Sequence, residues 1–386
     1  MNLLFVVPCY FPATRFGGPV RSVHALVKGL QALGDRVSVY TTNSDGPRDL
    51  PCALGEPTAV DGVPVTYFQV ERPRGYFRSP ALDAALARDV RRFDLVYAPW
   101  IYAYTTQAAA RRALASRVPF VVSPRGMLDR DAIRRKGRWR KTAFLATLGR
   151  RALAHADAIH FTSAGERRDC LMRFPGERSF VAANGVDLDE LAGGTAPARE
   201  PVALFLGRLA AIKGLDLIAA AWPRVVAAVP DAKLVLAGPD DEGLAAGLRR
   251  AFEESGTAAS VTWAGLVDAR ARNALLARAA VLLNPSYLES FGMSIVEAMA
   301  CGKPVVVTDR VNIAPEIAAA GAGLVCPCDA AEIAAAVVRL LSDAALAGTM
   351  GGAGRALAHR EYAIGPAARR VHDAFAAIAA RRPRAP

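Results

Sequence analysis

The chain runs to 386 residues, 52% of them hydrophobic, so it can bury a large core, and its length favours two domains over one. Its 48 Lys and Arg outnumber 36 Asp and Glu, and the formal charge of +12 calls for anionic company: phosphates, nucleic acid or an anionic membrane surface. Nucleic acid is disfavoured, because aromatic residues make up only 7% of the chain and no RNA or DNA module is visible, which leaves the charge without a stacking platform.

Leu3-Leu4-Phe5-Val6-Val7 has no basic flank before it and is stopped by Pro8. It reads as a buried first strand, too short for a signal peptide or a membrane span. No later segment combines spanning length with freedom from charge, so the expected location is the cytoplasm. From there, short apolar runs alternate with longer amphipathic stretches, the pattern of parallel strands joined by crossover helices in a doubly wound α/β fold. Strands are predicted at Leu3–Val7, Val37–Thr41, Asp94–Ala98, Pro119–Ser123, Ala158–Thr162 and Ser179–Ala183. A second series follows at Val202–Leu206, Lys233–Ala237, Ser260–Trp263, Ala280–Asn284, Pro304–Thr308 and Gly323–Cys326. Between the series, Gly193, Gly194, Pro197 and Pro201 interrupt any regular element and mark a linker. After Leu346 a helical pattern runs to about Ala380, with a break expected at Gly365-Pro366 and a basic tail from Arg381.

Motifs fall at the ends of these strands. Gly17-Gly18-Pro19 opens a helix from Val20 to Leu33, where glycines let backbone N–H groups approach a phosphate and Pro19 suits a first helical turn. Ser123-Pro124-Arg125-Gly126-Met127-Leu128-Asp129 follows another strand. Glu166, where a strand runs into a helix, is expected to cap it. Arg208 and Lys213 come after a strand that ends at Gly207, and can stabilise negative charge that builds on a leaving group. The densest signal is the run Pro285–Pro304, which holds Glu289 and Glu297 with seven residues between them. There a helix start at Ser290, Phe291, Gly292 and Met293 offers N–H groups and a positive dipole end, while two carboxylates can grip hydroxyl groups. Asp187-Leu188-Asp189 reads as turn chemistry and not as a metal motif, and Asp240-Asp241 as a helix start. His24, His155 and His160 read as structural. The scattered Cys9, Cys52, Cys170, Cys301, Cys326 and Cys328 make neither a disulfide framework nor a zinc pattern.

Together these segments resemble the family-four retaining glycosyltransferases. The match includes Gly17-Gly18, Asn184-Gly185-Val186-Asp187, Gly207-Arg208-Leu209 with Lys213-Gly214, Gly238-Pro239, Gly265-Leu266-Val267 and the 285–304 run, continuing into Val305-Val306. The resemblance implies a GT-B fold, two Rossmann-like doubly wound parallel-sheet domains facing a cleft. Residues 1–192 would be the acceptor-binding domain, 193–201 the linker and 202–360 the donor-binding domain. Residues 361–386 would form a helix packing back on the first domain, with the basic tail. It further implies Arg208, Lys213 and Glu289 as catalytic residues. The donor would be held by Gly17, Gly18, Arg208, Lys213, Gly238, Val267, Glu289, Ser290, Phe291, Gly292, Met293 and Glu297, with Glu289 on the sugar and Glu297 on the ribose. Many relatives carry a His at or near the position of Arg125; Arg125 and Asp129 are the acceptor candidates here.

The expected partners are a UDP- or GDP-sugar donor and a glycan or lipid-linked acceptor, in assembly of a bacterial surface polysaccharide. No cofactor and no metal are expected, since Arg208, Lys213 and helix N-termini meet the diphosphate charge. A nucleotide-sugar epimerase of the same fold, needing no acceptor, is the rival among enzymes, and a basic nucleic-acid-binding protein the rival outside them. A dinucleotide oxidoreductase is disfavoured because Gly-x-Gly-x-x-Gly follows neither domain's first strand. Between Arg125 and Lys141, Arg125, Arg130, Arg134, Arg135, Lys136, Arg138, Arg140 and Lys141 face only Asp129 and Asp131, with Trp139 among them and Phe144 just beyond. The segment reads either as a solvated basic face or as a patch for anionic lipid headgroups; the resemblance favours reversible peripheral binding to a membrane.

Overall fold

The computed structural model describes residues 1–13, 15, 17–135, 138–172, 174, 176–188, 191 and 200–381. The chain forms two compact units: Met1–Gly185 together with the chain from Ile364 on, and Val186–Ala363. The second unit starts earlier than the sequence suggests. Val186 pairs with Ala363 in a parallel bridge, and its N–H donates to the Tyr362 carbonyl at 2.8 Å. Residues 193–199 of the expected linker lie outside the described residues.

The first unit contains β1 (Asn2–Val6), β2 (Arg36–Thr42), the small hairpin β3 (Ser44–Asp45) and β4 (Arg48–Asp49), β5 (Pro57–Val60), β6 (Val63–Phe68), β7 (Leu95–Pro99), β8 (Phe120–Ser123), β9 (Ala158–Phe161) and β10 (Ser179–Val181). The main sheet has the order β10-β9-β8-β7-β1-β2-β6-β5 and is parallel except for β5 against β6. Its helices are α1 (Gly18–Ala32), α2 (Pro80–Asp89), α3 (Tyr104–Ala115), α4 (Arg130–Arg135), α5 (Arg138–Ala146), α6 (Leu148–His155) and α7 (Ala164–Asp169).

The opening apolar run is unbroken because β1 is covered on both faces, as parallel strands are. Leu4 and Val6 enter one core with α2, α3 and α6, and Leu3, Phe5 and Val7 enter the other with α1. The β5–β6 hairpin is an addition to the predicted strands. Its two-residue turn places Asp61 at φ 49° and Gly62 at φ 79°, the paired left-handed geometry that lets a tight turn match strand twist.

The second unit contains β11 (Val202–Leu206), β12 (Lys233–Ala237), β13 (Val261–Gly265), β14 (Val281–Asn284), β15 (Val305–Thr308) and β16 (Gly323–Cys326). They form one parallel sheet in the order β13-β12-β11-β14-β15-β16. Around it lie α8 (Leu215–Ala228), α9 (Ala245–Glu254), α10 (Ala269–Arg278), α11 (Met293–Ala300), α12 (Ala314–Ala320), α13 (Ala330–Ser342) and α14 (Ala344–Leu357). The twelve predicted strands all appear, with ends within about two residues of those expected.

The last helix, α15 (Ile364–Arg381), belongs to the first unit. Its apolar stripe of Ala368, Val371, Phe375 and Ile378 joins the core beside α1. The fit is close: a Cβ on Gly29 would meet the Ala368 Cβ at 2.6 Å. The chain break precedes this helix at Ala363, after a π-helical turn at Ala358–Tyr362, and not at Gly365-Pro366 as expected. Pro366 sits in the first turn, where its missing N–H has no intrahelical partner to lose. No single helix among the described residues is long and apolar enough to cross a membrane.

Candidate active site in the second unit

In the second sheet, β11 is followed outward on one side by β12 and β13, and on the other by β14, β15 and β16. The chain therefore reverses direction across the sheet between β11 and β14. In open α/β sheets the crevice outside the carboxyl ends of such a pair is where ligands bind. The loop after β11 carries Arg208 and Lys213, and the loop after β14 carries Glu289 to Met293.

The two loops are locked together by backbone. Gly214 has φ 68°, and a Cβ there would lie 2.0 Å from the Pro285 carbonyl oxygen. Tyr287 N–H donates to the Ile212 carbonyl at 2.9 Å, and its hydroxyl donates to Asp216 at 2.7 Å. Gly238, at φ 145°, is packed so tightly that a Cβ would be 1.8 Å from the Gly207 carbonyl oxygen, fixing the β12 loop against the strand that delivers Arg208. These glycines are required by close approach as well as by conformation.

Within this frame the Lys213 ammonium forms an ion pair with the Glu289 carboxylate. Their side chains are 18% and 14% exposed, so each keeps an edge for a ligand. Arg208 is exposed and has no hydrogen-bond or ion-pair partner among the described residues. Glu289 is braced through its backbone: its N–H donates to the Arg310 carbonyl at 3.2 Å and its carbonyl accepts from Asn312 at 2.9 Å. Gly292, at φ 80°, caps α11, whose first turn presents N–H groups beside this pair. Ser290 and Met293 are partly exposed there, as is Val267 after β13. Phe291 sits deeper. Its side chain is 3% exposed and stands edge-on to Tyr362 at 5.5 Å, so it anchors the loop in the core.

Glu297 is 1% exposed and lies 3.5 Å from the guanidinium of Arg272 on α10, itself 5% exposed. Sequence reasoning missed Arg272. Arg270-Ala271-Arg272 reads as a solvated helix face, and nothing in the local pattern says which Arg turns inward.

The first unit has a similar reversal between β1 and β7. Gly17, with φ 67° and ψ −137°, caps α1 at a positive φ that favours glycine, and a Cβ would meet nothing within 4 Å. Gly18 is the first residue of that helix. Arg125 stands at φ 50°. One terminal nitrogen donates to Ser22 Oγ at 2.7 Å and to Asn184 Oδ1 at 2.9 Å, the other to the Tyr97 hydroxyl at 3.3 Å.

Glu166 does not cap α7. Ser163 does that, while Glu166, buried, accepts from Thr162 N–H and Oγ1 and from Gly126 N–H, pinning the Arg125 loop to β9. Asp129, the other acceptor candidate, is held by backbone. It is 7% exposed and accepts from Asp131 and Ala132 N–H at 2.8 and 2.9 Å, which makes it the cap of α4. His160 lies between the Tyr97 hydroxyl and the Ala182 carbonyl, and burial pushes it down to about 3, so it is neutral at pH 7.

In the basic segment Trp139 is 83% exposed beneath the Arg138 guanidinium. Phe144 instead packs on Tyr76 and Tyr102, and Lys141 turns in to the Ala132 carbonyl at 2.9 Å. Lys136 lies outside the described residues. Asp187 is described and Asp189 is not. No group of three or more His, Cys, Asp or Glu among the described residues is placed to hold a metal ion.

Residues 16–190 match the family model described as Glycosyltransferase Family 4, and residues 200–343 the one described as Glycosyl transferases group 1. The chain belongs to the family-four glycosyltransferases. Alpha-maltose-1-phosphate synthase of Mycolicibacterium smegmatis is 31% identical over 258 residues, 60% of this chain and 66% of that one. The chain spans less than two thirds of the length of the curated relatives it matches. Among solved structures, sucrose-phosphate synthase from Thermosynechococcus elongatus has a TM-score of 0.79 at 21% identity, covering 99% of this chain and 100% of that one. Anabaena HepE in complex with UDP-glucose has 0.75 at 20%, covering 98% and 100%. These likenesses give this glycosyltransferase the GT-B fold.

Proposed function

We propose that this glycosyltransferase takes a sugar from a nucleoside-diphosphate donor bound at the switch point between β11 and β14, and transfers it with retention to a hydroxyl of a glycan or lipid-linked saccharide. The observation that carries the reading is the convergence of Arg208, the Lys213–Glu289 pair and the start of α11 on one crevice. The structure of HepE in complex with UDP-glucose supports a nucleotide sugar as the donor class. UDP and GDP are the carriers to test first.

In this scheme the bond from the sugar's anomeric carbon to the diphosphate oxygen breaks as the acceptor oxygen bonds to the same carbon on the same face. The acceptor proton passes to the departing phosphate oxygen. Negative charge grows on the diphosphate and is met by Arg208, Lys213 and N–H groups of α11, which supply the role a metal ion would otherwise have. Glu289 holds sugar hydroxyls while fixed by Lys213, and Glu297 holds the ribose. Arg125, beside the opening of α1, is the candidate acceptor contact in the first unit. The exposed Trp139 with Arg134, Arg138 and Arg140 suits reversible contact with anionic lipid at the inner face of a membrane, where a lipid-linked acceptor for surface polysaccharide assembly would lie.

The test is thermal stabilisation by a panel of nucleoside diphosphates and nucleotide sugars, followed by transfer assays with the stabilising donor. A specific ligand at a hundred times its Kd raises stability by about 2.7 kcal/mol. A panel without any stabilising nucleotide refutes the donor assignment, and an isomerised sugar formed from donor alone would reassign the enzyme as an epimerase.

A further inference from the structure

We infer that Arg272 is the positioning residue for Glu297, holding inside the second unit the carboxylate that meets the donor ribose; the inference rests on the donor reading above. The Asp268 side chain caps α10 by accepting from Ala271 N–H at 2.8 Å, which sets the register of the helix. In that register Arg270 and Arg278 face solvent and Arg272 alone of the three turns inward, to 5% exposure. Its Nε donates to Asn273 Oδ1 at 3.0 Å, which orients the guanidinium plane, and Nη1 lies 3.5 Å from Glu297 Oε1.

Taking both charges out of water is costly before their attraction is counted, and two well-packed apolar side chains would join α10 to α11 at least as well. Stability therefore does not account for the pair. What it supplies is a guanidinium 3.5 Å away that fixes the carboxylate in place at a depth where an unpaired charge is costly. A ribose hydroxyl donates best to an ionised, fixed carboxylate, so the pairing acts on ligand selection through Glu297.

The experiment measures binding of UDP and 2′-deoxy-UDP, and of the corresponding guanosine pair, by calorimetry. The proteins compared are the parent, Arg272→Met, Arg272→Lys, Glu297→Gln and the Arg272→Met/Glu297→Gln double substitution. The parent is expected to prefer the ribonucleotide by about tenfold or more. Arg272→Met and Glu297→Gln should each erase most of that preference, the double substitution should be no weaker than the worse single one, and Arg272→Lys should restore at least half of it on a logarithmic scale. A merely structural Arg272 would lower thermal stability and leave the preference intact, and that result overturns the proposal while the ribose role of Glu297 stands. A parent that binds without preference refutes the ribose role, and a parent that binds neither set refutes the donor reading itself. If Arg272→Met does not fold, Arg272→Gln, which keeps volume and a donor but not charge, is judged by the same two outcomes.

Discussion

Charge arithmetic at the switch point gives a prediction that a list of conserved-looking cations would not. Arg208, Lys213 and Glu289 together carry one net positive charge, and the Lys213–Glu289 pair couples two of them directly. Lys213→Ala brings that total to zero and also leaves a carboxylate, 14% exposed, facing an anionic ligand. Lys213→Ala/Glu289→Gln returns the total to plus one through Arg208 alone. At an effective dielectric near 20, unit charges about 6 Å apart interact by roughly 3 kcal/mol, and partial exposure with salt screening reduces this to about 1.5 kcal/mol. Nucleoside-diphosphate affinity should thus fall roughly tenfold in Lys213→Ala and recover most of that in the double substitution, while Glu289→Gln alone binds as tightly as the parent or more so. Sugar transfer behaves differently. It should fall by about a hundredfold or more in Lys213→Ala and stay low in the double substitution, because the developing charge in the transition state has lost its fixed cation and the sugar its carboxylate. Calorimetric Kd values at two salt concentrations, with single-turnover transfer rates, separate the two effects. If the double substitution binds the diphosphate as weakly as Lys213→Ala does, the pair is not part of the diphosphate site and the reasoning fails.

Three further outcomes are expected. Transfer should survive EDTA if, as proposed, the cations and helix N–H groups meet the leaving charge; complete loss on chelation, restored by magnesium or manganese, would contradict this. Gly214→Ala should lower stability by more than about 2 kcal/mol, because its Cβ would collide with the Pro285 carbonyl, whereas Gly17→Ala should cost about 1 kcal/mol, with only φ to strain; equal shifts in thermal midpoint would show that the loop contact is not as tight as described. Changing Arg134, Arg138, Arg140 and the exposed Trp139 to Ser should lower liposome binding at least a hundredfold at about 1 kcal/mol per cation, with the loss confined to anionic vesicles at low salt. Binding that ignores lipid charge, salt and these substitutions would remove the membrane role.

Sequence patterns served the fold best where burial is two-sided. Leu3–Val7 and Val202–Leu206 are apolar at every position because both faces are covered, and an unbroken run flanked by breakers is easy to find. The β5–β6 hairpin carries a strong turn signal in Val60-Asp61-Gly62-Val63, but as an antiparallel edge it lies outside the strand–helix alternation that marks the parallel strands. The C-terminal break was displaced for a similar reason. Gly365-Pro366 looks like a stop, but in the first turn of α15 proline is compatible with the helix, and the stop is the extended Ala363 beside Val186.

At the site, the backbone devices were legible and the side-chain environments were not. Gly214, Gly238 and Gly292 each stand where φ is positive or another backbone comes within bonding range, constraints local enough to leave a motif. How deeply a carboxylate is held depends instead on what a distant segment places beside it. Glu289 meets Lys213 across 76 positions and stays partly exposed, whereas Glu297 meets Arg272 across 25 and is buried. Asp129 shows the same limit from the other side: its sequence neighbours mark a loop after a strand, and only the start of α4 at Arg130 turns it into a cap. Spacing therefore marks the loops that carry the candidate residues, and the partner of each charge sets how deep each carboxylate is held.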